Sequence, residues 1–209
     1  DSLENNMGTI KIFDTLSKTE KNLESKETAK IYVCGVTVYD DAHIGHARTI
    51  VIFDTLRRFI ESKGINVDFI QNFTDVDDKI IKKANESGIS TELVSKKYID
   101  DYFVEFDTLN IKRATQHPKA TEHIPDMINL ISDLMAKNIA YTTKNGVYFS
   151  VSKFSDYGKL SKKNIEELES GARIEVDESK ENPLDFALWK FSDSKPSWNS
   201  PWGNGRPGW

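Results

Sequence analysis

The chain of 209 residues is poor in cysteine and in long apolar runs. Its single cysteine, Cys34, excludes an internal disulfide and favours a reducing compartment. No run approaches the roughly 18 apolar residues that a membrane helix needs. The sequence also does not open on a signal-peptide pattern. We therefore expect a cytoplasmic protein without a membrane partner.

Positive charge is in the minority, because 28 lysines and arginines face 33 aspartates and glutamates, which gives a net charge of −5. A protein that binds nucleic acid nonspecifically is usually basic, so this balance argues against that class but leaves room for a local basic patch. A hydrophobic content of 38% is typical of a globular protein. The length allows one good hydrophobic core and a smaller second one. We separately expect the protein to be a monomer.

The pattern between residues 30 and 64 predicts a strand, a turn and a helix in that order. The strand covers residues 30–35, and the helix covers 47–63 and stops at Gly64. We expect the apolar stripe of this helix to consist of Ile52, Leu56 and Phe59.

The turn contains Gly45 between His43 and His46. The first N–H groups of a helix lack intrahelical partners and the helix dipole favours an anion there, so a phosphate fits this position. Both imidazoles can then reach the phosphate, while Gly45 leaves room for a base or a ribose. Alternatively, the His-x-x-His pair is incidental or is half of a metal site. Its place between strand and helix favours a nucleotide site.

Alternating apolar residues predict a second strand over 66–73, parallel to the first through the crossover helix. Such a unit is the centre of a Rossmann-type α/β fold, whose ligands bind at the carboxyl ends of the strands. Thr74 lies at that end and faces the same crevice as Gly35. Asp77 or Asp78 is predicted to cap the next helix.

The second half of the sequence predicts a small inserted α+β subdomain. Before it, a helix is expected over 91–110. The subdomain itself is predicted to contain a helix over 121–137, followed by a hairpin over 140–151 with Asn145-Gly146 as a two-residue turn. His117 and His123 near this junction are interpreted as surface or capping residues.

After the inserted subdomain, a strand is predicted over 184–190. All four tryptophans fall between residues 189 and 209. The density of proline and glycine from residue 197 onward predicts no regular structure there, although the indoles are expected to pack.

Four motifs resemble, in order, those of the cysteinyl-tRNA synthetase family of class I aminoacyl-tRNA synthetases. They are the run from Tyr32 to Arg48 with its His43-Ile-Gly-His46 signature, Asn72 to Lys79, Asn182 to Lys190, and Ser197 to Trp209. The resemblance implies that a Rossmann catalytic domain begins over 7–111, is split by a connective insertion over 112–183 and resumes over 184–209. Members of this family continue with a K-M-S-K-S loop and an anticodon-binding domain. The resemblance therefore implies an N-terminal fragment that is inactive alone.

The resemblance implies ATP-dependent activation of L-cysteine and transfer of the cysteinyl group to cysteine tRNA. His43 and His46 would be catalytic and, with Gly45, would bind ATP accompanied by Mg²⁺. Gly35, Thr37, Thr74 and Trp209 would bind cysteine.

Cys34 would be one ligand of a Zn²⁺ ion that selects the substrate thiol, with the other ligands beyond Trp209. From the residues alone, Cys34 is more simply a buried strand cysteine that packs as a small hydrophobe. We expect this chain to bind zinc weakly or not at all.

Two other functions remain open at this point. A cysteine ligase of mycothiol biosynthesis shares the adenylate chemistry and the zinc, but passes cysteine to an amino sugar. The long run around His43 and His46 favours the synthetase. The other alternative is a noncatalytic, synthetase-like nucleotide-binding module.

Overall fold

The computed structural model describes residues 9–23, 27–162 and 179–208. The chain divides into two compact units. The first contains the residues up to 13 and residues 20–122, and the second contains residues 14–19 and those from 123 onward. Within the described ranges, no helix combines the length and the apolar character needed to cross a membrane.

A parallel βαβ arrangement forms the centre of the first unit. After a hairpin of β1 (Lys11–Asp14) and β2 (Thr19–Asn22), strand β3 (Thr28–Val33) is joined through helix α1 (Ile44–Ser62) to strand β4 (Asn66–Gln71). Strands β3 and β4 pair in parallel along their whole length. Isolated parallel bridges pair Ile70 with Gln116 and Phe73 with Lys119. The segment that contains Gln116 and Lys119 thus lies parallel to β4 as a third chain segment. The predicted parallel pair and its crossover helix are thus confirmed.

Two helices follow β4 in the first unit. Helix α2 (Asp78–Ser87) is capped by the side chain of Asp77, which accepts a hydrogen bond from the Lys79 N–H, and it ends at Gly88 in the left-handed conformation. Helix α3 (Thr91–Thr108) begins after the Ser90 cap. The core between these elements includes Val38, Ile50, Phe73, Ile80, Val94, Tyr102 and Phe106.

Helix α1 differs from its prediction in two respects. It begins at Ile44 rather than at residue 47, so Gly45 and His46 lie in its first turn. The predicted stripe is correct for Leu56, which is partly buried and packs against a core cluster, but wrong for Ile52 and Phe59, which are exposed. The buried positions of the helix are Ile50, Asp54 and Ile60. The helix carries apolar side chains on two opposite sides, so periodicity alone does not reveal which side the sheet covers.

The second unit is an α+β structure. Helix α4 (Ile124–Ala136) precedes a four-stranded antiparallel sheet in the order β5 (Ala140–Thr142), β6 (Gly146–Phe149), β7 (Phe186–Phe191) and β8 (Gly205–Pro207). The completely buried side chains of Val147 and Trp189 lie in its core with Ile124, Ile131 and Ala140.

The predicted hairpin forms with a two-residue turn, but the turn is shifted by one residue from the expected Asn145-Gly146. Thr142 pairs with Val147, and the Thr143 N–H donates to the Gly146 carbonyl oxygen at 2.8 Å, so residues 144 and 145 form the loop. Gly146 instead allows close contact with β7, since a Cβ atom there would lie 2.0 Å from the carbonyl oxygen of Trp189.

The expectation that the tail has no regular structure is also wrong. Strand β8 pairs with β7, and Gly205 forms a further bridge to Trp198. Cβ atoms at Gly205 and Gly208 would lie 2.3 and 2.2 Å from carbonyl oxygens of β7. The glycines that seemed to exclude a strand therefore permit this close backbone approach.

Candidate functional site

The first turn of α1 is closed by two histidines that cap each other. His43 is the N-cap residue, and its Nδ1 accepts a hydrogen bond from the Gly45 N–H at 3.1 Å. In return, His46 Nδ1 accepts from the His43 N–H at 3.3 Å. The two rings stack with their centroids 3.7 Å apart. This is the geometry of a capping box, made here by imidazoles in place of a hydroxyl and a carboxylate.

The cap determines which ring nitrogen of each histidine can donate. A nitrogen that accepts a hydrogen bond carries no proton, so in the neutral rings of His43 and His46 the proton lies on Nε2. Burial, followed by the neighbouring His43, lowers the pKa of His46, which keeps that ring neutral at pH 7. The amino end of α1 therefore presents two Nε2–H donors. The backbone N–H groups of Gly45, His46 and Ala47 are already bonded to His43, so the two imidazoles are donors that remain for a ligand.

Gly45 also has a local packing role beside the His43 ring. A Cβ atom at this position would lie 3.0 Å from both Cε1 and Nδ1 of His43. The absence of a side chain therefore leaves space for the capping ring itself.

The loops that follow β3 and β4 are joined at the carboxyl end of the sheet. The Gly35 N–H donates to Asn72 Oδ1 at 2.9 Å. Two residues further along each loop, Thr37 and Thr74 form a parallel bridge. The structure thus brings Gly35, Thr37 and Thr74 together, as the sequence predicts. Because its N–H is occupied, Gly35 has only its carbonyl oxygen to offer a ligand.

Cys34 lies next to this junction and is exposed, which contradicts its interpretation as a buried strand cysteine. Its Sγ lies 3.8 Å from the Gly35 carbonyl oxygen. Within the described ranges, no three histidine, cysteine, aspartate or glutamate side chains are close enough together to hold a metal ion. The described residues therefore do not form a complete zinc site. Cys34 could supply one sulfur ligand to such a site. Trp209 lies outside the described residues.

Asn72 is the residue of this site that sequence reasoning did not single out, although it lies within a quoted motif. Its Oδ1 also accepts a hydrogen bond from the Tyr32 hydroxyl at 3.0 Å. The available signal was a polar amide directly after the last residue of a parallel strand, where ligand sites of α/β proteins form.

The comparisons with known proteins identify the family of this chain. The family of tRNA synthetases class I (C) catalytic domains matches residues 20–209. Cysteine–tRNA ligase of Carboxydothermus hydrogenoformans is 55% identical over 203 residues, which cover 96% of this chain and 44% of that protein. The Caldicellulosiruptor saccharolyticus enzyme is 53% identical with the same coverage. The chain belongs to the class I tRNA synthetase catalytic domain family, and it spans less than half the length of these curated relatives.

Two solved structures show the same fold at low identity. Mycobacterium tuberculosis methionyl-tRNA synthetase with methionyl-adenylate has a TM-score of 0.52 at 19% identity, over 61% of this chain and 25% of that one. The ternary complex of Agrobacterium radiobacter LeuRS with tRNA and LeuAMS has a TM-score of 0.50 at 20% identity, over 60% and 17%. The predicted Rossmann-type α/β fold is confirmed.

Proposed function

We propose that this chain supplies the first part of the catalytic domain of a cysteine–tRNA ligase. The complete protein would activate L-cysteine with ATP and transfer the cysteinyl group to cysteine tRNA. The observation that carries the proposal is the identity of 55% with a cysteine–tRNA ligase over 96% of the chain. We also propose that the complete protein is a cytoplasmic monomer. Sedimentation of the complete protein would test its oligomeric state.

The activation step is an attack of the cysteine carboxylate on the α-phosphorus of ATP. The new P–O bond forms as the bond to the bridging oxygen of pyrophosphate breaks, and pyrophosphate leaves with both electrons. Charge develops on the phosphate oxygens during this exchange, so donors fixed in advance stabilise the transition state. We assign this role to the Nε2–H groups of His43 and His46, with Mg²⁺ accompanying ATP and neutralising its phosphates. Gly45 lies between the two donors, where the nucleotide would pass.

The cysteine substrate would lie at the junction of the two strand ends. In the described part of the chain, the hydroxyls of Thr37 and Thr74 have no hydrogen-bond partner, so both are available to a ligand. The carbonyl of Gly35 adds an acceptor for the substrate ammonium group, and Trp209 would add an apolar wall.

Zinc binding is part of the proposal for the complete protein only. Zn²⁺ prefers thiolate ligands, which provides a basis for choosing cysteine over serine. Cys34 would be one ligand and residues outside this chain the others. We expect a metal assay on the 209-residue chain to give clearly less than one zinc per chain. Stoichiometric, tightly held zinc would contradict that expectation.

The test is cysteine-dependent ATP–pyrophosphate exchange by the protein expressed from the complete gene, with serine as the control substrate. Exchange with cysteine alone supports the adenylation step, and transfer to tRNA or to an amino sugar then identifies the acceptor. If a folded, zinc-loaded protein gives no exchange, the enzymatic proposal fails and the noncatalytic module replaces it.

The role of the histidines has its own matched variant. The double substitution His43→Ser and His46→Gln rebuilds an ordinary capping box, so the helix start is kept while both imidazoles are lost. We expect kcat for exchange to fall by about 10²–10³, as when a fixed donor to a transition state is removed. Unchanged helix content by circular dichroism would attribute that loss to the donors. Unchanged kcat would contradict the assignment.

A further inference from the structure

We infer that Asn72 is a positioning residue of the proposed cysteine site, because its side-chain oxygen holds the chain on both sides of Cys34. The inference rests on the proposed function. It adds a residue that contacts neither ATP nor the reacting atoms, but that orients the residues assigned to bind cysteine.

One oxygen atom carries both contacts. Asn72 Oδ1 accepts from the Gly35 N–H at 2.9 Å and from the Tyr32 hydroxyl at 3.0 Å. A backbone N–H can only donate, so the Gly35 bond by itself determines which end of the amide is the oxygen. Tyr32 and Gly35 flank Val33 and Cys34, so this contact fixes the end of β3 where the chain turns into the site.

The backbone of Asn72 forms the second part of the same junction. A Cβ atom on Gly35 would lie only 1.6 Å from the Asn72 carbonyl oxygen, so this close backbone contact requires glycine. The Thr74 N–H then donates to the Val36 carbonyl at 3.0 Å, and the Val38 N–H donates to the Thr74 carbonyl at 3.3 Å. Asn72 and Gly35 lie two residues before Thr74 and Thr37, at the start of this pairing, so their contact contributes to how the two threonine hydroxyls lie relative to each other.

Desolvation does not explain the bond to Tyr32. The Tyr32 side chain is 64% exposed, and a phenol with that much exposure can bond to water instead. The hydroxyl of this exposed tyrosine nevertheless donates to Asn72 Oδ1, the same atom that accepts from the Gly35 N–H. This shared acceptor supports the role of Asn72 in orienting the end of β3.

The experiment uses the protein from the complete gene and measures the KM for cysteine, the KM for ATP and Tm. Asn72→Ala removes the acceptor of both hydrogen bonds and is expected to raise the KM for cysteine about tenfold, which is about 1.4 kcal/mol. The KM for ATP is expected to stay within about twofold. Asn72→Asp keeps the acceptor, so its KM for cysteine should lie closer to the wild-type value. Asn85→Ala, at an exposed position of α2, is the control and should change none of the three values.

Tyr32→Phe keeps the inference testable if Asn72→Ala fails to fold, because an exposed hydroxyl is removed without a cavity. We expect this variant to raise the KM for cysteine about two- to threefold. The inference is overturned if the KM for cysteine does not change, if both KM values rise together, or if the aspartate variant is as impaired as the alanine variant. A wild-type protein without cysteine-dependent exchange would instead refute the proposed function itself.

Discussion

At the scale of single residues, Gly35 lies too close to Asn72 to accept a side chain. Gly35→Ala would force the strand ends apart, because its Cβ would overlap the Asn72 carbonyl group. We expect the free energy of unfolding of the chain in urea to fall by about 1–3 kcal/mol or more. Gly64→Ala is the matched control: its positive φ of 78° adds strain of about 1 kcal/mol, but nothing lies within 4 Å of the new atom. Equal losses for the two variants would contradict the close contact.

His117 was interpreted from the sequence as a surface or capping residue, and this is wrong. Its ring stacks on Phe73 with centroids 5.1 Å apart. The Nε2 atom accepts from the Ala114 N–H at 3.2 Å, so Nδ1 carries the proton and donates to the Gln71 carbonyl oxygen at 3.0 Å. Both ring nitrogens are used by the neutral form. Nothing in the local sequence distinguishes such a histidine from an exposed one, because the rings and carbonyls come from other elements.

This environment predicts a pH dependence. Burial is the main cause that lowers the pKa of His117, and Arg113 adds to it, while the bond to Gln71 opposes it. The folded chain therefore binds fewer protons than the unfolded chain around the usual histidine pKa of about 6.5. The stabilisation is complete above that pH and is lost as the pH falls through the lowered value. An NMR titration should give a lower midpoint for His117 in the folded chain than in urea. His117→Gln assigns the signal and should weaken the acid destabilisation. An equal or higher midpoint in the folded chain would contradict the prediction.

At the scale of elements, α1 is attached to the segment after α3 by a buried carboxylate. Asp54 accepts from Arg58 Nε at 2.7 Å and from the Lys112 N–H at 3.1 Å. Arg58 in turn donates to the Asn110 carbonyl oxygen at 2.6 Å. Both members of the Asp54–Arg58 pair thus attach helix α1 to the segment that follows α3.

Asp54→Ala should destabilise the chain by about 2–4 kcal/mol, because it leaves a backbone N–H and a guanidinium without their acceptor. The control is Asp100→Ala, which breaks an i,i+4 pair whose aspartate side chain is 60% exposed, compared with 10% for Asp54. Exposed pairs contribute little, so the control should change stability by less than about 0.5 kcal/mol. Urea unfolding of both variants measures the difference in the free energy of unfolding. Similar losses for the two variants would contradict a stabilising role for the burial of Asp54.

The elements also show why sequence reasoning succeeded in some places and failed in others. Strands β3 and β4 and the helix between them were predictable, because buried strands and a crossover helix have strong patterns. The start of α1 was missed because histidine is not among the usual N-cap residues. Strand β8 was missed because its glycines face the backbone of β7, a contact that no local pattern contains. Asn72 was passed over because its partners, Tyr32 and Gly35, lie about forty residues earlier in the chain.

At the scale of the whole molecule, the chain covers 44% of its curated relatives. The division into residues 7–111, 112–183 and 184–209 stays a prediction, although β7 and β8 share one sheet with the β5–β6 hairpin.

Catalysis of adenylate formation depends on the correct positioning of several groups around ATP and cysteine, so the rate falls when the part of the protein that supplies some of them is absent. We therefore expect no cysteine-dependent exchange from the 209-residue chain and measurable exchange from the protein of the complete gene, at equal molar concentration. Equal rates would mean that this chain already holds the whole machinery.

The exposure of Cys34 has a practical consequence. Because the sequence contains one thiol, a maleimide dye or a spin label attaches to a single atom of this chain, and that atom lies beside the junction of Gly35 and Asn72. No background cysteines need to be removed before labelling. The rate of alkylation, followed with and without added nucleotide or amino acid, thus becomes a direct spectroscopic report from the place where the substrate is proposed to bind.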